Sequence, residues 1–153
     1  MTVKSGPECH VQATFRAPID FVFRWCTDFS PADARLEGES YDRRVLSRTP
    51  RRVVYEDLEW TPGGWHWGRY TVTLRPPTRW TAERVGNYLD CSIRYTLARL
   101  PDGRTRLDLR WHRRPTGLGS RRWSKTAVER GTTRMWKRFA AALEADFRRA
   151  GRT

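Results

Sequence analysis

His66 lies in the run Gly63 to Pro77, GGWHWGRYTVTLRPP, where an imidazole is set among two tryptophans and a tyrosine. Imidazole titrates near neutral pH and can give or take a proton in catalysis. No neighbouring pattern supplies a partner, so a solvent-facing or structurally hydrogen-bonded histidine accounts for it as well. Parity narrows the choice. Tyr70, Val72 and Leu74 share one strand face and carry Gly68 and His66 with them, while Trp65, Trp67, Arg69 and Thr71 point the other way. His66 and Tyr70 are therefore expected to approach an internal cavity, with the two tryptophans outward as an exposed apolar feature. A bulge at Gly68 would reverse the assignment.

Glu56 is the second candidate. In VVYEDLEW, an inward set of Val54, Leu58 and Trp60 draws Glu56 in, whereas inward Val53 and Tyr55 draw in Asp57 and Glu59. The first register is preferred here. A buried carboxylate needs a cationic or hydrogen-bonding partner. Arg84, on the face of Trp80 and Ala82, is the expected one, and a structural ion pair at a cavity edge explains the two residues equally well. Tyr95 is the third candidate. Leu89, Cys91, Ile93, Tyr95 and Leu97 alternate on one face, as Leu107, Leu109 and Trp111 do on the next strand, so Tyr95 and Trp111 either fill the core or wall a pocket.

No P-loop, dinucleotide fingerprint, HExxH, serine elbow or clustered Cys/His set appears, and no cofactor or metal is called for. The three cysteines, Cys9, Cys26 and Cys91, are widely spaced without a CxxC pair, which speaks for free thiols in a reducing cytosol. Neither a signal core nor an apolar run of membrane-spanning length is present, and a cytoplasmic location is expected.

Positioning these residues falls to a regular series of elements. Val11, Ala13 and Phe15 read as a strand, followed by a helix in APIDFVFRWC with Pro18 at its first position and Ile19, Val22, Phe23 and Cys26 on its buried face. Ser30, Pro31 and Asp33 then suit the start of a second short helix. From Tyr41 to Arg114, turn chemistry at Thr49-Pro50-Arg51, Pro62-Gly63-Gly64, Pro76-Pro77, Gly86-Asn87 and Leu100 to Gly103 cuts the chain into strand-length pieces. Such short connections predict an antiparallel meander. A long amphipathic helix closes the chain, with Val128, Met135, Phe139, Leu143 and Phe147 along its stripe. Thr126 with Glu129 forms a capping-box pattern, and Ser120 or Ser124 can also start this helix. Gly131 within it costs roughly 1 kcal/mol against alanine, and either leaves room for a ligand or relieves a close contact with a tryptophan.

This order, carried by FRAPIDFVFRWCTD (Phe15 to Asp28), LRPPTRW (Leu74 to Trp80), YTLARLPDGRTRLDLRW (Tyr95 to Trp111) and MWKRFAAALEADF in the last helix, resembles the START-like helix-grip fold of the SRPBCC superfamily, the polyketide cyclase/dehydrase and lipid-transport group. The resemblance implies an α+β fold with a curved seven-stranded antiparallel sheet wrapped around the C-terminal helix and two short helices after the first strand. It further implies a single START-like domain over residues 8–150, with flexible termini at 1–7 and 151–153. The cavity of that fold usually takes an apolar or aromatic small molecule, and Trp60, His66, Tyr70, Arg84, Cys91, Tyr95, Trp111, Gly131 and Met135 are the residues expected to contact it. The tryptophan-proline-glutamate motif that many cyclase members carry after the first helix is absent; the chain reads DFSPADARL there.

Two classes of function follow. The first is a cavity protein for a hydrophobic or aromatic ligand, polyketide- or lipid-like, working as an aromatase or cyclase-type enzyme, a carrier or a resistance protein. The second rests on charge: of 30 basic residues only Lys4, Lys125 and Lys137 are lysine, and the formal net charge is +13. A basic module binding nucleic acid or an acidic partner would use Arg121, Arg122, Lys125, Arg130 and Arg134 with Trp123.

Overall fold

A computed structural model describes residues 2–4 and 6–151. Its elements are β1 (Cys9–Phe15), α1 (Ile19–Cys26), α2 (Asp33–Glu37), β2 (Asp42–Arg48), β3 (Arg52–Thr61), β4 (Gly64–Arg75), β5 (Arg79–Gly86), β6 (Leu89–Arg99), β7 (Thr105–Pro115) and α3 (Lys125–Ala150). The strands form one antiparallel sheet in the order β1-β7-β6-β5-β4-β3-β2, so the meander is complete and the first strand closes against the last. The sheet, the two short helices and the long C-terminal helix make the expected helix-grip architecture.

Local chemistry sets the boundaries. Pro18 is the N-cap of α1 rather than its first helical residue, because its ψ of 155° is still extended. Ser30 and Pro31 form a turn, and α2 begins only at Asp33 behind Ala32. At α3, Ser124 is the cap: its side chain accepts from the Ala127 amide at 3.2 Å. Glu129, considered as a capping-box partner, instead accepts from the His10 amide of β1 at 2.7 Å.

The core lies between α3 and the concave face. Phe15, Val22, Val53, Val72, Trp80, Leu107 and Leu143 are almost wholly buried there. Of the expected α3 stripe, Phe139 and Leu143 are buried and Val128, Met135 and Phe147 are half-buried; the largest buried side chain of the helix is Trp136. Its indole packs edge-on to Phe15 and Tyr95 and beside Phe139. Of the terminal segments expected to be flexible, Met1, Ser5, Arg152 and Thr153 lie outside the described residues. Val3 is buried, and its amide donates to Ser92 Oγ at 2.6 Å. No helix among the described residues is long and apolar enough to cross a membrane.

Candidate functional site

The interior that α3 covers is aromatic at one end and ionic at the other. Trp80 and Tyr95, cross-strand neighbours on β5 and β6, stack with centroids 4.6 Å apart and planes within 10°. Phe29 and Tyr55 face each other at 4.9 Å, and Tyr55 stacks on Tyr70 at 4.6 Å. Phe29 holds a φ of 52°, in the left-handed region that a bulky residue rarely enters, yet it is buried against Tyr55. Packing overrides that local preference. Trp80, Tyr95, Phe29 and Tyr55, with Cys26, Met135, Trp136 and Phe139, line a chamber of about 70 Å³.

Asp33, Glu37 and Arg43 complete its wall. The Arg43 guanidinium lies over the Tyr55 ring at 4.3 Å and donates to Asp57 through Nε (2.8 Å) and Nη2 (2.9 Å), to Asp33 through Nη1 (3.0 Å) and to the Tyr41 hydroxyl through Nη2 (3.1 Å). Groups from α2, the α2–β2 loop and β3 thus converge on one cation carried by β2. Burial raises the Asp33 carboxyl to about 6 against the pull of Arg43, and raises Glu37, which takes a hydrogen bond from Tyr41, to about 7. A group with that value exchanges its proton readily at neutral pH.

Glu37 also borders a second chamber of about 30 Å³, walled by Tyr41, Asp57, Glu59, His66, Tyr70, Arg84 and Tyr88. Arg84 is buried there beneath Gly68 and Gly86, where a Cβ at either position would collide with its guanidinium. It donates to the Leu89 carbonyl and lies over the Tyr88 ring at 4.3 Å. Outside both chambers, Glu37 and Met135 border an open groove of about 700 Å³ between α2 and α3, where Gly131 also lies. The two side chains therefore separate groove from interior. Against the single deep cavity that the sequence suggests, the interior space is divided and small, because Met135, Trp136, Phe139 and the tyrosines fill it. A drug-sized ligand needs about 300–1,000 Å³, more than either chamber provides, and the adjoining groove lies just beyond Glu37 and Met135.

Of the sequence candidates, His66, Tyr70 and Arg84 meet in the smaller chamber, and Tyr95 and Met135 in the larger. His66 stacks on Tyr88 at 4.1 Å. Cys91 and Trp111 are buried but line neither chamber. Gly131 faces the groove, and a Cβ there would meet only the Arg134 side chain, not a tryptophan. Two expectations are corrected. Val53 and Tyr55 form the inward face of β3, so Trp60 is 62% exposed on the convex side. Glu56 goes with it, pairing there with Arg69 (3.3 Å) and the Trp67 indole (3.2 Å) rather than with Arg84. The register runs unbroken from Arg52–Thr73 to Thr61–Gly64, which excludes a bulge at Gly68 and leaves Trp65 outward as expected. Glu37, Arg43 and Asp57 were not singled out. The rejected alternation of Tyr55, Asp57 and Glu59 was the signal for Asp57, while Glu37 and Arg43 carry none that separates them from surface charges.

No protein-family profile matches the sequence, and no curated protein is similar enough to match it. Solved structures do match. An aromatase/cyclase, ZhuI, from a Streptomyces species superposes with a TM-score of 0.65 at 14% identity, over 94% of this chain and 94% of its own. A START superfamily protein from Mycobacterium smegmatis gives 0.63 at 14% identity, over 95% and 99%. A conserved protein from Geobacillus kaustophilus gives 0.71 at 11% identity, over 90% and 95%. The chain has the START-like helix-grip fold that the SRPBCC superfamily shares.

Proposed function

We propose that the protein binds a flat aromatic or polyketide-like small molecule under α3, its rings against Trp80, Tyr95 and Tyr55 and a polar substituent at Glu37 and Arg43. The observation that carries this reading is the convergence of stacked rings and a half-buried carboxyl, raised to about 7 by its surroundings, in one chamber. A saturated lipid would gain little from the stacked walls and would leave the ionic end unanswered. Free Cys9, Cys26 and Cys91 fit a reducing, cytoplasmic setting. Titration of planar polycyclic phenols and of saturated fatty acids against tryptophan fluorescence tests the proposal. Quenching by the phenols alone is expected, weakened by Tyr95→Ala; a flat response to both classes would discard it.

Turnover of the aromatase/cyclase kind is favoured over carriage by Glu37, whose raised value suits it to take a proton from carbon or return one to oxygen. Glu37→Gln should then abolish conversion of a linear poly-β-ketone surrogate while its affinity stays within about tenfold. Retention of full conversion by Glu37→Gln, His66→Ala and Tyr95→Phe alike would leave the carrier reading standing.

A further inference from the structure

One end of the molecule carries an aromatic and basic surface that the interior site does not explain. The β3–β4 hairpin sets Trp60 opposite Trp65, their rings 5.1 Å apart on the convex side, 62% and 52% exposed. Leu118, 55% exposed in the loop between β7 and α3, joins them: its amide donates to the Asn87 carbonyl (2.8 Å), the Asn87 side chain donates to the Trp65 carbonyl (2.7 Å), and its Cδ1 lies against Gly64. Three turns are thereby tied into one tip. Leu58 and Val85 extend the patch along the same face.

The loop beside the patch is basic, although Arg110, Arg114 and Lys125 near it are paired with Glu8, Asp90 and Glu129. Between Asp108 and Glu129 the chain holds no carboxylate, yet it holds Arg110, Arg113, Arg114, Arg121, Arg122 and Lys125. Arg121 and Arg122 are exposed in the loop that carries Leu118. Of the carboxylates toward this end, Glu56 is paired with Arg69 and Asp90 with Arg114, while Glu59 lines the smaller chamber.

We propose that this tip docks onto an anionic lipid bilayer, with Trp60, Trp65 and Leu118 in the headgroup region and Arg121 and Arg122 on lipid phosphates. Tryptophan prefers that depth because its ring is amphipathic, and arginines beside it answer the negative surface potential. A second copy of the chain is the poorer occupant, because a two-fold contact through this face would bring the two Arg121-Arg122 pairs together. Docking does not depend on what the chamber holds, although it would set the smaller chamber close to the bilayer.

Co-sedimentation with phosphatidylcholine vesicles, with and without phosphatidylserine, tests the proposal on the full chain. Uptake by the anionic vesicles alone is expected, weakening as salt rises, with a blue shift of tryptophan emission. Trp60→Ser with Trp65→Ser should lower partitioning at least about tenfold. Arg121→Gln with Arg122→Gln should lower it roughly thirtyfold. All these residues are exposed, and unchanged thermal melts would show that the fold survives. Uptake that ignores lipid charge, or that persists in the tryptophan variant, overturns the proposal. So does a wild-type dimer that the tryptophan variant disperses without any vesicle uptake, which would make the tip a self-association face. Tighter retention of a short single-stranded RNA than of anionic vesicles at the same salt overturns it in favour of a nucleic-acid surface.

Discussion

Arg43 and Glu37 show how the site depends on single ionisable groups. Asp33, Asp57 and Glu37 surround one guanidinium, and burial holds the Asp33 carboxyl at about 6 and the Glu37 carboxyl at about 7. Both bind a proton more tightly in the folded chain than at the ordinary carboxylate value of about 4. The folded state is therefore favoured below that ordinary value, and the contribution is lost as pH rises through about 6 to 7. A higher thermal midpoint near about pH 5 than near about pH 8 is expected from these two groups, and Glu37→Gln should flatten the upper part of the slope. An unaltered slope in that variant would show that Glu37 does not hold the proton. Neither residue was legible beforehand, because a carboxylate aimed inward from a short helix has no pattern distinguishing it from a solvated one. The inward placement of Tyr95, Tyr70, His66 and Arg84 was legible, since the alternation along their strands extends to each of them.

The element that decides orientation is α3. Phe139 is buried against Trp25 and Trp136, with centroids 5.7 Å and 5.0 Å away, while its neighbour Arg138 is exposed. Phe139→Ala should cost ~3–5 kcal/mol in urea melts. Arg138 is not idle, however: its Nε donates to the Leu36 carbonyl and so ties α3 to α2. Arg138→Ala should cost about 1 kcal/mol, the net worth of one hydrogen bond, rather than nothing. Near-equal costs would mean that the helix is turned from the orientation described. The stripe was readable from its spacing, but Trp136 was not, because a 26-residue helix crossing a curved sheet does not keep one straight line of contacts. On β3 the misreading has a definite cause: Val54, Leu58 and Trp60 are as apolar as the inward set, and apolarity was equated with burial. Of these, Trp60 and Leu58 belong to the patch proposed above to meet the bilayer.

At the scale of the whole molecule, charge is sorted by location. The formal net charge is +13, yet Asp33, Glu37, Glu39, Asp57 and Glu59 line the chambers against only Arg43 and Arg84. Composition reported the net basic charge and hid the carboxylates gathered at the chamber walls, because a sum over the chain cannot tell where charges lie. The architecture itself was legible almost throughout, since every turn between β2 and β7 is marked by proline, glycine or asparagine.

The closure of the sheet has a consequence for synthesis. Val11 pairs with Leu109 and Phe15 with Thr105, so β1 leaves the ribosome long before its only partner strand exists. Hairpins β2 to β6 can form one after another as they emerge, each needing only its neighbour. Phe15 stays uncovered meanwhile, because β7 and α3, which pack against β1, follow every other strand in the chain. In the nascent chain β1 therefore waits unpaired while the meander builds behind it, a strand that a chaperone at the exit tunnel can hold until β7 arrives.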